Sequence, residues 1–384
     1  MFGSFYLAGF ECATGYNRQG EWIDQIRATQ HDAEVDEDYK RLVDCGFAGI
    51  REGIRWPLVD ARGTLDFSSV AAFAAAARRH RLTVIWDLFH YGYPADLDPF
   101  SPAFTERFAA YCRATALWVA TQSDGPYFFT PVNEPSFFAW AGGDQAQFAP
   151  YARGRGPELK LALVRAAIRG IDAIRAVLPS ARIVNADPWC RVVPPRDRPE
   201  RASECRSFNQ GAVFESWDML CGKLHPELGG SRRHLDIIGI NYYWTNQWEL
   251  DRNECPLEDD DPRRCRLLEG IREVHARYGG DLMISETSHV GDKRAAWLSE
   301  VATDCATAVR EGIALRGCCL YPILGMPEWH LRDTWSQMGL WECRECIVRQ
   351  GRLQRVLHEP MSLALQDALR VPLLQLKPVV AESE

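Results

Sequence analysis

The chain lacks long apolar runs. Nowhere in its 384 residues is there the stretch of about 18–20 uninterrupted hydrophobic residues that a membrane-spanning helix needs. A Gly-rich phosphate fingerprint is also missing after every candidate strand, which argues against a nucleotide-binding doubly wound sheet. Positive charge is not in excess. A formal net charge of −8 at pH 7 has the wrong sign for neutralising phosphates, so no nucleic-acid partner is expected. Few of the basic residues are Lys, and the Arg bias reads as genome composition. No basic segment precedes the first apolar residues, and Glu11 follows them at once, so no signal peptide is expected and a cytoplasmic location is. Cysteines are plentiful, but their 13 positions are scattered and odd in number, which predicts reduced, mostly buried thiols. Cys343 and Cys346 make a lone Cys-x-x-Cys, without the second ligand pair of a zinc site. Asp87, His90, Asp187 and His289 suggest a metal-dependent barrel hydrolase, but no His-x-His follows the first strand and no Lys closes a strand. Neither a metal nor a cofactor is expected.

What is present is a regular alternation. Apolar, β-branched or aromatic runs at 5–10, 48–51, 82–87, 127–131, 182–186, 237–241, 282–285 and 317–321 predict strands. Helical patterns lie between and after them, at 35–45, 69–80, 102–121, 158–178, 208–221, 264–278, 294–311 and 353–369. In the fourth of these Leu161, Val164, Ile168, Ile171 and Ile174 share a face, Pro157 suits the first turn and Pro179 ends the helix. Eight strand–helix units predict an α/β protein, a single-domain (β/α)8 TIM barrel over residues 1–371 with a poorly ordered tail at 372–384. The Pro- and charge-rich stretches 193–204 and 253–266 read as loop insertions.

Barrel active sites sit where strands end. Here the strand ends carry Arg51, His90, Asn133-Glu134, Asp187, Asn241-Tyr242-Tyr243, Glu286, and Tyr321 leading to Glu328-Trp329. So many polar side chains at strand ends are costly unless they converge on a ligand. Glu134 and Glu286 each directly follow an apolar strand, the fourth and the seventh, which face each other across a barrel. Two such carboxylates suit glycosidic-bond cleavage, one attacking the anomeric carbon and the other protonating the leaving oxygen. Arg51 is available to keep a nucleophile ionised, and Asn133 to hold substrate beside Glu134. Of the 13 Trp, Trp329 is the best candidate for stacking on a sugar, while Trp140, Trp189 and Trp244 read better as packing.

In local motifs the chain resembles clan A glycoside hydrolases, and family 1, the β-glucosidase type, most of all. TPVNEP (130–135) is similar to that family's acid/base motif and ISET (284–287) to its nucleophile motif, with Thr-Ser where the family has Asn-Gly. DIIGINYYW (236–244) resembles strand six and implies that Tyr243 hydrogen-bonds the nucleophile; GIREGIRW (49–56) resembles strand two and implies that Arg51 lies beside Glu286. HYGYP (90–94) gives His90 a sugar-hydroxyl role by resemblance. GCCLYPILGMPEW (317–329) places Tyr321, Glu328 and Trp329 where the family grips the first sugar. The family's strand-one Gln has no clear counterpart, with Glu11, Asn17 and Gln19 as candidates, and Tyr321 stands where the family has Trp. The resemblance implies a retaining glycosidase acting on a β-linked glycoside or oligosaccharide, with a small carbohydrate as partner. A transglycosidase using the same carboxylates, and a sugar-binding barrel without catalysis, are the alternatives.

Overall fold

The computed structural model describes residues 1–252, 255–345, 351–371 and 373. Eight parallel strands close on themselves in chain order: β1 Tyr6–Gly9, β2 Gly49–Gly53, β3 Thr83–Asp87, β4 Phe128–Thr130, β5 Arg182–Pro188, β6 Ile237–Asn241, β7 Asp281–Thr287 and β8 Leu315–Leu320. β8 returns to β1 with Tyr6 opposite Cys318. All eight predicted strands therefore lie in one barrel. Their sequences read as continuous apolar runs because both faces are covered, one by the barrel interior and the other by helices. β2 and β6 are buried at every position.

Two apolar clusters follow from this layering. The inner one joins Phe2, Leu7, Ile85, Phe128, Val184, Ile237, Met283, Cys319 and Tyr321. The outer one fills the space between strands and helices α1 His31–Asp44, α2 Ser68–His80, α3 Pro102–Gln122, α4 Gly156–Val177, α5 Glu215–Leu220, α6 Leu267–Tyr278, α7 Arg294–Arg310 and α8 Glu359–Leu369. Seven of the twelve described cysteines are buried and all twelve are free thiols; Cys346 lies outside the described residues, so the Cys343 pair cannot be placed as one.

Two helix expectations need correction. The pattern at 208–221 is broken: a helix Ala202–Gln210 stops at Gly211, a 3-10 turn follows, and α5 begins only at Glu215. The pattern at 353–369 is a strand followed by a helix. Leu353–Leu357 pairs antiparallel with Trp341–Glu345, and α8 starts at Glu359 because Pro360 fits only a first helical turn. Part of the insertion at 193–204 begins in a small parallel pair, Arg191–Val193 with Gln247–Glu249. The stretch expected to form a tail from Pro372 lies outside the described residues apart from Leu373, which is buried.

Candidate active site

Alternation along β2 points Arg51 into the barrel and Glu52 out toward α1. Arg51 is fully buried, and each of its nitrogens has a partner. Nε donates to Asp87 Oδ1 at 3.0 Å, and Nη1 donates to Glu286 Oε1 at 2.6 Å and to the Ser285 carbonyl at 3.1 Å. Nη2 donates to Asn133 Oδ1 at 2.6 Å and lies 2.8 Å from Asp87 Oδ2. One guanidinium thus fixes side chains from β3, from the loop after β4 and from β7. Burial works against a charge on Asp87, but Arg51 and His90 outweigh it and hold this carboxyl below its ordinary value.

Glu286 has a second partner in Tyr243, whose hydroxyl donates to Oε2 at 2.7 Å. The other carboxylate sits in a different setting. Glu134 accepts from Asn241 Nδ2 at 2.8 Å and from the Tyr91 hydroxyl, and among the described residues no cation touches it. Burial first and the charge of Glu286 second push Glu134 up to about 8, against the lowering effect of its two hydrogen bonds. Asn241 is aimed by the sheet itself. The register of β6 on β7 shifts after Ile240, so that Asn241 pairs with Glu286, and the Ser285 hydroxyl donates to Asn241 Oδ1 at 2.5 Å. That leaves the amide N–H facing Glu134. Both Glu134, at φ 47°, and its partner Tyr91, at φ 66°, occupy the left-handed region. Such non-glycine strain persists where surrounding contacts over-determine it, and it concentrates at functional sites.

Eight parallel strands closing in chain order, with Glu134 in the loop after β4 and Glu286 within β7, form a barrel that solved structures match over 95–98% of the chain. The fold is that of the family 1 β-glucosidases. A β-glucosidase from Thermotoga maritima in complex with castanospermine superposes with a TM-score of 0.76 at 17% identity, covering 98% of this chain and 98% of that one. A β-glucosidase from Thermotoga maritima in complex with glucoimidazole gives 0.76 at 16% identity, over 96% and 98%. A family 1 β-glucosidase from Thermotoga maritima gives 0.76 at 16%, over 95% and 97%. No protein-family model and no curated protein matches the sequence.

The remaining residues of this β-glucosidase-type barrel fall into two groups. His90, 7% exposed, places Nδ1 3.2 Å from Asp87 Oδ2 and Nε2 3.4 Å from the Asn133 amide. Burial disfavours a charged imidazole, yet Cys12, Glu11 and Asp87 hold His90 well above its ordinary value. Tyr321 is buried, its ring stacked on His90 at 5.8 Å and lying 5.2 Å from the Arg51 guanidinium. It fits because residue 9 is glycine: a Cβ there would sit 2.1 Å from the Tyr321 ring. Trp329 is half-buried and edge-on to Tyr91 at 5.6 Å, and its indole N–H is shielded yet has no partner among the described residues. Glu328 is half-buried, and among the described residues only its backbone is engaged, to Thr334.

Asp187 and His289 do not join the site. Asp187 accepts from Ser136 at 2.6 Å and from Ser216, while His289 stacks on Trp244 at 4.9 Å and faces Asp259 at 3.5 Å. The four-residue metal grouping is therefore split apart. Cys12, Asp87 and His90 do bring potential ligand atoms within 4.8 Å of one another, but both Asp87 oxygens are already held by Arg51. Trp189 is 1% exposed against Gly270, as packing. Tyr91 was not singled out from the sequence; only its place beside His90 in HYGYP signalled it.

Proposed function

We propose that the chain is a retaining glycoside hydrolase that cleaves β-linked glycosides or oligosaccharides by double displacement. The observation that carries this reading is the unequal treatment of two carboxylates. Glu286 is paired with Arg51 and Tyr243, as an anionic nucleophile requires. Glu134 has no cation beside it among the described residues and is pushed up to about 8, so near neutral pH it holds the proton that a general acid must give.

In the first step Glu286 attacks the anomeric carbon while Glu134 protonates the departing glycosidic oxygen, leaving a glycosyl ester on Glu286. Once the ester forms, the charge of Glu286, which added to burial in raising Glu134, is gone. Its affinity for a proton falls, yet the carboxylate remains a base able to deprotonate the incoming water. Water then attacks the anomeric carbon and displaces Glu286 with a second inversion, so that the overall reaction retains configuration. His90, Asn133, Tyr321, Glu328 and Trp329 line the glycone side, and the unpartnered Trp329 N–H is a donor suited to a sugar hydroxyl.

Glu286→Ala is expected to abolish turnover of aryl β-glycosides, and azide to restore part of it with product of inverted configuration. A 2-deoxy-2-fluoro glycoside is expected to leave a covalent adduct on Glu286, detected by mass spectrometry. A fully active Glu286→Ala enzyme ends the proposal.

A further inference from the structure

The mechanism above uses two carboxylates, and Asp87 serves Arg51. A fourth, Glu11, enters the same space from the end of β1 and has no part in those steps. It is 7% exposed. Its Oε1 accepts from the Ala13 N–H at 2.8 Å and lies 3.6 Å from His90 Nε2. Its Oε2 has no hydrogen-bond partner among the described residues and is not sealed from solvent. The backbone bond fixes one oxygen and leaves the other free to accept from a ligand beside His90.

The charges facing that space do not cancel. Among the described residues three carboxylates, Glu11, Asp87 and Glu286, meet two basic side chains, Arg51 and His90, and Glu11 is the least compensated: burial raises its carboxyl above the ordinary value, against the lowering pull of His90. Arg51 is spent on Asp87 and Glu286, and His90 is shared between Asp87 and Glu11. Carboxylates and cations a few ångströms apart in a poorly solvated site interact far more strongly than at a surface. An anionic glycone would add to the excess, and a neutral one would leave it in place. A protonated amine on the sugar would cancel it and give Oε2 a charge-assisted donor.

We infer that Glu11 is the specificity-determining residue of the pocket and selects a glycone bearing a basic amino group at the ring position it faces. This deepens the glycosidase reading and rests on it for the location of the glycone. Two measurements separate them. The first compares kcat/KM for 4-nitrophenyl glycosides in matched pairs, with hydroxyl or amino at each ring carbon in turn, and includes a glycuronide. At one position the amino compound is expected to be favoured at least tenfold over its hydroxyl partner, with the glycuronide the poorest substrate. In Glu11→Gln that ratio is expected to collapse toward one. The second is calorimetric binding of the matching methyl glycosides, which needs no turnover. Selective binding of the amino glycoside without hydrolysis of any glycoside would keep this inference and overturn the glycosidase reading. Hydrolysis of neutral glycosides with no amino preference at any position, or a preference that survives Glu11→Gln, would overturn the inference alone.

Discussion

Glu134 is the residue on which the pH behaviour turns. In the proposed double displacement it must carry a proton in the first step, so kcat/KM is expected to fall as pH rises through its raised value of about 8. The Tyr91 hydroxyl, donating to Glu134, favours the charged form and draws that value down. Tyr91→Phe removes the donor but keeps the ring that packs on Phe138 and Trp329. The alkaline limb of the pH profile is then expected to move upward, and a limb that stays in place or moves down would show that Tyr91 does not set the acid. The residues that were legible from sequence are those whose chemistry is announced by position, a carboxylate directly after an apolar strand. Tyr91 was not, because its role arises from a neighbour brought in by folding, and Glu11 was legible only as one of three candidates for the strand-one position. Nothing in the letters around Tyr91 shows that a left-handed backbone turns its hydroxyl to Glu134.

Among the elements, the hairpin between Thr14–Tyr16 and Trp22–Asp24 helps to hold the loop after β8. Asn17, fully buried in its turn, donates from its amide to the Trp329 carbonyl at 3.0 Å, and Gln19 reaches the His330 carbonyl at 3.1 Å. Gln25, just beyond the hairpin, donates to the Pro327 carbonyl at 2.9 Å. Three side chains thus hold the backbone on which Glu328 and Trp329 ride. Asn17→Ala removes the bond to Trp329 and the two that Oδ1 accepts from the Gln19 and Glu21 N–H groups, and is expected to raise KM by at least about tenfold, with a smaller change in kcat. An equal fall in kcat, or no change in KM, would deny Asn17 this positioning role. Barrel strands could be read because burial on both faces makes them apolar at nearly every position. The hairpin of Trp341–Glu345 with Leu353–Leu357 could not. Its second strand, LQRVL, has a burial pattern that mixes half-buried and exposed residues and gives no clean period of two, so it merged with the helical rhythm of α8.

At the scale of the molecule, β2 couples the site to the outer layer. Arg51 faces inward, while the next residue, Glu52, faces outward and meets His31 Nε2 at 3.0 Å and the Tyr39 hydroxyl at 2.9 Å. His31 Nδ1 in turn lies 2.9 Å from Asp38, which also holds Arg355 of the C-terminal hairpin at 2.7 Å. A single buried ionic chain thus ties barrel, α1 and hairpin together. Burial opposes the charge on Asp38, but Arg355 and His31 prevail and lower it to about 2. For His31 burial again opposes, and Glu52 and Asp38 raise it. The signs follow. Asp38 contributes stability above its unfolded value, lost only as pH falls toward about 2. His31 contributes stability below its ordinary value of 6.5, lost as pH rises through its raised folded value. Asp38→Asn leaves Arg355 and His31 buried beside a neutral group, a change that costs about 3–5 kcal/mol when one partner of such a pair is removed. The variant is therefore expected to melt several degrees below the wild type, with the gap widest between about pH 5 and 6, where both groups are charged, and narrower once His31 has lost its proton. Melting curves of both proteins across that range check it, and a gap that is absent, or that grows as the pH is raised, would mean that this chain does not hold the layers together.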